Sequence, residues 1–311
     1  MKAVRIHAYG GPEVLTYEDA PNPAPADGEV LIRVHASSVN LFDCAVRAGY
    51  LHQYFNYTFP LIIGTDVSGV VEEVGSSVTN FLPGDSVYTR AGVFRDGGNA
   101  EYVVALASDI ASKPQSIDHI HAAALPHVTL AAWYGLIDLA NLSEGQTVLI
   151  HGAAGGVGHI AVQLAKLRGA KVIGTASANI DFLHELGVDE AIDYSTTAFE
   201  DIAKDVDVVF DLIGEDTQQR SWKVLKPDGI LVSTLAQPPS AEIATAHGVR
   251  SGHVDSNPQM GTALAELANM VDAGQIKPHV SAVLPLQDIQ KAHEMIEGRH
   301  TRGKIVLQIV D

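Results

Sequence analysis

The densest chemical signal in the chain is the run His151-Gly-Ala-Ala-Gly-Gly-Val-Gly158. It follows a short apolar run, Thr147 to Ile150, and precedes Ile160, Leu164 and Leu167 at helical spacing. The spacing Ala153-x-Gly155-x-x-Gly158 matches the G-x-G-x-x-G of dinucleotide loops, with alanine in the first place. Gly155 would let the backbone approach a pyrophosphate, and Gly158 would let helix and strand pack closely. The helix N-terminus then offers N–H donors and partial positive charge to an anion. Glycines alone also make turns that bind nothing. Here Lys171 to Gly174 starts a second strand, so the loop sits inside a βαβ unit and the signal becomes specific.

The second strand points to the cofactor. Sites for NAD place a carboxylate about 20 residues beyond the loop, where it accepts from the ribose 2′-hydroxyl. That place reads Gly174-Thr-Ala-Ser-Ala-Asn179, without an acid. Ser177 and Asn179 offer donors to a 2′-phosphate, and Tyr194 offers a further hydroxyl at the adenosine end. No Lys or Arg lies between Lys171 and Lys204. NADP is therefore the better reading, although its usual cation is missing.

The elements that must position these residues fall into two patterns. Up to about residue 110 the chain reads as short strands with turns. Glu29 to His35 alternates apolar and polar residues, Val67 to Val74 and Ser86 to Thr89 are β-rich, and Pro83-Gly84-Asp85 is a turn. Beyond residue 120 strands alternate with helices. Helices are expected up to Leu167, around Asp181 to Leu186 and over Ser221 to Leu225, with strands at 191–192, 207–211 and 230–235 and a turn at Lys226 to Gly229. That alternation predicts an α/β fold, a Rossmann doubly wound parallel sheet with helices on both faces. A helix over 261–273, a strand over 280–284, a helix over 289–296 and a strand over 304–310 follow, and the final pieces are expected to return to the first domain.

Composition narrows the function classes. The chain has 311 residues, 46% hydrophobic and 18% charged, as in globular proteins. Twenty basic residues against 37 acidic ones leave −17, which argues against nucleic acid and against an anionic membrane as partners. No window reads as a signal peptide or membrane helix, so a cytoplasmic location is expected. A single cysteine, Cys44, excludes an internal disulfide and any zinc site of several thiolates. Its neighbours give little to favour a thiolate, so a small buried residue is expected there.

Several stretches, in order along the chain, resemble one family. They are Val39-Asn-Leu-Phe-Asp43 with Arg47-Ala-Gly49, Phe59 to Gly69, Gly84 to Tyr88, Gly98 to Tyr102, the glycine loop, and His300-Thr-Arg-Gly-Lys304. The chain resembles a zinc-free medium-chain dehydrogenase/reductase of the quinone oxidoreductase (zeta-crystallin-like) type. The resemblance implies a discontinuous GroES-like β-rich catalytic domain, 1–122 with 275–311, and a Rossmann NADP-binding domain, 123–274. It implies a nicotinamide near Thr129 and a pyrophosphate along Ala154, Gly155, Gly156 and Val157. Leu212 and Leu235 would line the cofactor, and Arg302 and Lys304 would close over it. Where zinc-dependent relatives carry a cysteine and Gly-His-Glu, this chain has Asn40 and Gly64-Thr65-Asp66, so no metal is expected.

Without a metal the chemistry becomes hydride transfer from NADPH to a quinone or α,β-unsaturated carbonyl. The oxygen that gains charge needs donors set in advance. By family placement these are Asn40, Tyr50 and Thr129, with Tyr50 able to deliver a proton and Asp43 orienting the loop. The aromatic stretch Tyr50 to Tyr57 suits a flat apolar substrate or a packed loop. The alternative is a catalytically silent NADP-binding structural or regulatory protein of the same fold, and a zinc alcohol dehydrogenase is a distant third. A homodimer is expected from the resemblance and from the frequency of two-fold assemblies.

Overall fold

A computed structural model describes residues 1–254, 260–299 and 301–310. The motif residue His300 lies outside them. The chain divides into one unit of Met1–His127 with Pro258–Asp311 and another of Val128–Asn257.

The first unit opens with β1 (Lys2–Ile6), β2 (Thr16–Asp19) and the long β3 (Glu29–Val39). Helix α1 (Leu41–Ala48) starts where Asn40 and Asp43 form a capping box, each side chain meeting the other's backbone, and stops at Gly49, which takes φ +80°. Next come β4 (Leu61–Ile62), β5 (Asp66–Val74), β6 (Ser86–Arg90), β7 (Tyr102–Leu106) and β8 (Ile110–Ser112). Helix α2 (His119–Ala123) follows, and the boundary after His127 falls within α3 (Pro126–Trp133).

The second unit alternates as its sequence predicts. Its elements are β9 (Thr147–Ile150), α4 (Gly156–Leu167), β10 (Lys171–Ala176), α5 (Ile180–Glu185), β11 (Glu190–Asp193), α6 (Phe199–Ile202), β12 (Val206–Asp211), α7 (Glu215–Ser221), β13 (Leu225–Ser233), α8 (Ala241–Ala246) and β14 (Arg250–His253). The strands pair in parallel in the order β11-β10-β9-β12-β13-β14. Counted from β9 this is 3-2-1-4-5-6, the doubly wound Rossmann order. Leu149, Val209 and Leu231, wholly buried, fill the sheet. Two details depart from expectation. Helix α7 lies earlier than the expected 221–225, because the Asp211 carboxylate accepts from Ile213 and Gly214 N–H and sets a turn that starts it at Glu215. The turn expected at Lys226 to Gly229 is a distortion inside β13, with Asp228 at φ +64° and a register shift against β12.

The chain then returns to the first unit with α9 (Met260–Asp272), β15 (Val280–Pro285), α10 (Ile289–Glu297) and β16 (Lys304–Gln308). Helix α9, which the expected boundary at 274 puts with the nucleotide domain, packs on β8 here. The Tyr88 hydroxyl donates to Leu264 O, and a Cβ on Gly261 would lie 2.3 Å from Ser108 O. Strand β16 is parallel to β15 and antiparallel to β3 in a sheet ordered β15-β16-β3-β5-β6-β8, with β7 also on β3. Among the described residues no helix is long and apolar enough to cross a membrane.

Candidate functional site

In the second unit His151 anchors the glycine loop. Its ring is buried; Nε2 lies 2.9 Å from Ser221 Oγ and Nδ1 3.3 Å from Thr175 Oγ1. Ser221 donates its proton to Thr217 O, so it accepts from His151 Nε2–H, which leaves Nδ1 to accept from Thr175. Thr175 Oγ1 also accepts from Gly152 N–H at 3.3 Å. Burial pushes His151 down to about 4, so the ring stays neutral at pH 7. Gly152 takes φ +67°, and a Cβ on Gly158 would lie 2.2 Å from Gly152 O. Gly155 heads helix α4 with no side chain to cap it, so the helix's first N–H groups take no side-chain acceptor from the cap residue. Ala154 is buried, and Gly156 and Val157 are half-buried.

Four strand ends meet this loop. Ser177 and Asn179 follow β10, both half-buried, with Asn179 heading α5. Tyr194, 56% exposed, lies beside them because its N–H donates to Ala176 O. Leu212 belongs to the Asp211 turn, and the neighbouring Ile213 lies 3.1 Å from where a Gly152 Cβ would stand. Leu235 packs where a Gly214 Cβ would be, 2.5 Å away. The expected cofactor residues 154–157, 177, 179, 194, 212 and 235 thus gather at the carboxyl ends of the strands, where open α/β sheets bind ligands. Thr129 is fully buried in α3. One acid escaped the linear reading: Asp193 of β11 is the register partner of Ala176. Its Oδ1 accepts from the N–H and hydroxyl of Ser195, which turns it into its own loop.

The first unit holds a buried polar network. Strand register builds it, since Ser38 pairs with Asp66 across β3 and β5, and Ile305 pairs with Val39 across β16 and β3. Lys304 and Asn40 are therefore opposite one another. The Lys304 ammonium donates to Val39 O at 3.0 Å, to Asn40 Oδ1, and to Asp66 Oδ2 at 3.1 Å. Asp66 Oδ2 also accepts from Ser38 Oγ at 2.6 Å and Asn40 Nδ2 at 2.8 Å, and Oδ1 accepts from His127 N–H at 2.6 Å. Asn40 Nδ2 also donates to Thr65 Oγ1 at 3.1 Å, and Asn40 N–H donates to Asp43 Oδ2. Burial would raise Asp66, but the Lys304 charge and these donors hold its carboxyl below the usual range. Asp43 has less help, and burial, with the charge of Asp66, pushes it up to about 7.

This network corrects two expectations. Lys304, expected to close over a cofactor, is 2% exposed with all three N–H donors taken, so none is left for a phosphate. Asn40, expected to polarise a substrate oxygen, has both amide N–H groups engaged by Asp66 and Thr65. Asp43 orients the loop as its sequence position suggests. Tyr50 stands 76% exposed just beyond Gly49, and Arg302 is exposed ahead of β16. Cys44 is buried against His293 Nδ1 at 3.3 Å, and burial raises its thiol far above reactivity at neutral pH. Among the described residues no three His, Cys, Asp or Glu side chains gather as a metal would require.

The comparisons agree with this architecture. Residues 26–115 match the family described as alcohol dehydrogenase GroES-like domain, and residues 186–307 match the one described as zinc-binding dehydrogenase. The structure of the quinone oxidoreductase from Coxiella burnetii superposes with a TM-score of 0.93 at 35% identity, covering 100% of this chain and 99% of that one. The chain belongs to the quinone oxidoreductase family of medium-chain dehydrogenases/reductases. It is an oxidoreductase. The mouse (Mus musculus) mitochondrial NAD(P)H oxidoreductase RTN4IP1 is 33% identical over 361 residues, covering 100% of this chain and 89% of that protein. A 2-haloacrylate reductase from Burkholderia is 33% identical over 333 residues, covering 98% of each. The Escherichia coli quinone oxidoreductase complexed with NADPH superposes with a TM-score of 0.90 at 29% identity, covering 99% of this chain and 100% of that one.

Proposed function

We propose that this quinone oxidoreductase-family chain reduces quinones or α,β-unsaturated carbonyls with NADPH and without a bound metal. The observation that carries the metal-free reading is the Lys304 ammonium 3.1 Å from Asp66. Asn40 stands at the place of the cysteine, and Thr65-Asp66 at that of the His-Glu, in zinc-dependent relatives. A divalent ion there would meet a buried like charge, beside an amide and a hydroxyl rather than thiolate or imidazole. The donor set does not fit zinc, whatever the description of the matching family.

NADPH supplies the hydride. The α4 N-terminus and the loop at 154–157 would hold its pyrophosphate, Thr129 its nicotinamide end, and Ser177, Asn179 and Tyr194 its 2′-phosphate. The acid-free end of β10, and Asp193 turned into its own loop, support NADPH over NADH. The relatives named for quinone and 2-haloacrylate reduction support a conjugated substrate. A homodimer in the cytoplasm, binding neither nucleic acid nor membrane, completes the proposal; its acidity supports the last two points.

Steady-state oxidation of NADPH and of NADH, with a quinone and an enone panel and with chelator-treated enzyme, tests the reading. NADPH-preferring, chelator-resistant turnover is expected. Absence of turnover with both classes, or activity that zinc restores, would overturn it.

A further inference from the structure

The first unit carries a partly open row of rings. Phe42, at the start of α1, lies 5.9 Å from Phe55 edge-on and 5.8 Å from the His127 imidazole. Phe55 stacks on Tyr57 at 5.8 Å and lies 5.5 Å from Phe94. The Tyr57 hydroxyl donates to Val93 O at 2.7 Å and so ties the loop of Phe94 to this row. Phe42, Phe55 and Tyr57 are half-buried and pack on the core that holds Val39, Leu51 and Ile63, while Phe94 is 73% exposed. The row therefore keeps an open edge at Phe94.

The row ends on a polar atom that the fold leaves unsatisfied. The backbone N–H of His127 is held by Asp66, which fixes the residue. Its ring is half-buried, and Nδ1 is enclosed with no hydrogen-bond partner. Burial and the charges of Arg90 and Lys304 push His127 down to about 3, while Asp66 opposes them, so the ring is neutral at working pH. A neutral imidazole carries one proton. The enclosed nitrogen is least costly as a bare lone pair beside those cations, which puts the proton on Nε2.

We propose that Phe42, Phe55 and Phe94 seat a planar conjugated carbonyl compound and that His127 Nε2–H donates to its oxygen. This rests on the function proposed above and names the groups that would carry out its recognition step. Stacking selects flatness, and the donor at the end of the row selects an oxygen. When hydride adds to the conjugated system, the charge arriving on that oxygen meets a donor already in place. The proton that completes the product comes from solvent.

His127→Phe keeps a ring against Phe42 and removes no existing side-chain hydrogen bond, so the variant is expected to fold. Its kcat for a substituted benzoquinone should fall by about 10²-fold, the usual effect of losing one such donor. NADPH affinity should stay unchanged, and His127→Gln should recover part of the loss. Phe94→Ala should raise KM for an aryl enone more than it changes kcat. Binding of a non-reducible aryl ketone, followed by calorimetry, should weaken in both His127→Phe and Phe94→Ala. Wild-type kcat, KM and ketone affinity in both variants would overturn the seat while leaving the proposed reaction standing. An inactive wild-type enzyme would instead overturn the reaction, and ketone binding would still decide the seat.

Discussion

Replacing Lys304 by Met tests the buried network most directly. The substitution keeps the aliphatic stem and removes an ammonium with three acceptors, one of them the Asp66 carboxylate with 0% exposure. Removing one partner of a buried pair costs about 3–5 kcal/mol, because the remaining charge stays in a medium that solvates it poorly. At about 2–4 °C per kcal/mol for a chain of this size, the midpoint should fall by about 6–20 °C. Pairing the change with Asp66→Asn should recover most of the loss, since an uncharged pair removes the orphan carboxylate. The deficit should also depend on pH. Wild-type Asp66 is held below its usual range, so its stabilisation is present above the unfolded value and fades as acid titrates the folded carboxyl. Without Lys304 both Asp66 and Asp43 protonate at higher pH, which relieves the orphan charge. Urea unfolding of wild type, single and double variants at neutral and mildly acidic pH measures all three effects. A single-variant deficit below about 1 kcal/mol, as for an exposed ion pair, would refute the reasoning. So would a deficit indifferent to pH.

Other substitutions probe the remaining parts. Gly158→Ala would force a Cβ to within 2.2 Å of Gly152 O; it should cost about 1–3 kcal/mol of strain. By moving the α4 N-terminus it should also weaken NADPH binding by about tenfold or more in a fluorescence titration. Asp43, pushed up to about 7 from 3.8, contributes its protonated-form stability fully at acid pH and loses it as pH rises through 7. Asp43→Asn should therefore flatten the fall in urea midpoint between mildly acidic and neutral pH, and parallel curves would count against the assignment. Ser177→Asp puts an acceptor for the ribose 2′-hydroxyl at the end of β10. The ratio of kcat/KM for NADPH over NADH should drop by about tenfold or more.

The Rossmann unit and its glycine loop were legible because their signals are local. A strand, a loop and a helix contiguous over 147–167 carry both the spacing and the periodicity. Helix α7 was placed too late for the same reason, since Glu215 to Ser221 is polar and has no apolar stripe to read, while the apolar Trp222 and Val224 drew the assignment onward. The network around Asp66 was not legible at all. Its members are joined across 26, 238 and 264 residues by strand register, which only the folded sheet supplies. That is also why Asn40 and Lys304 looked available for substrate and cofactor. Asp193 escaped notice through the parallel register that sets it opposite Ala176. His127 gave no signal beyond its residue type, because its environment comes from Asp66, Phe42 and Arg90.

The distance along the chain between Asp66 and Lys304 also bears on synthesis. A ribosome completes the contiguous stretch 128–257 before it makes the cation that neutralises Asp66. The middle of the chain is then free to fold while the N-terminal strands, already emerged, must keep that carboxylate in water. Vectorial synthesis ordinarily favours the N-terminal domain; here Asp66 must wait for Lys304, made 238 residues later, before its pair can form.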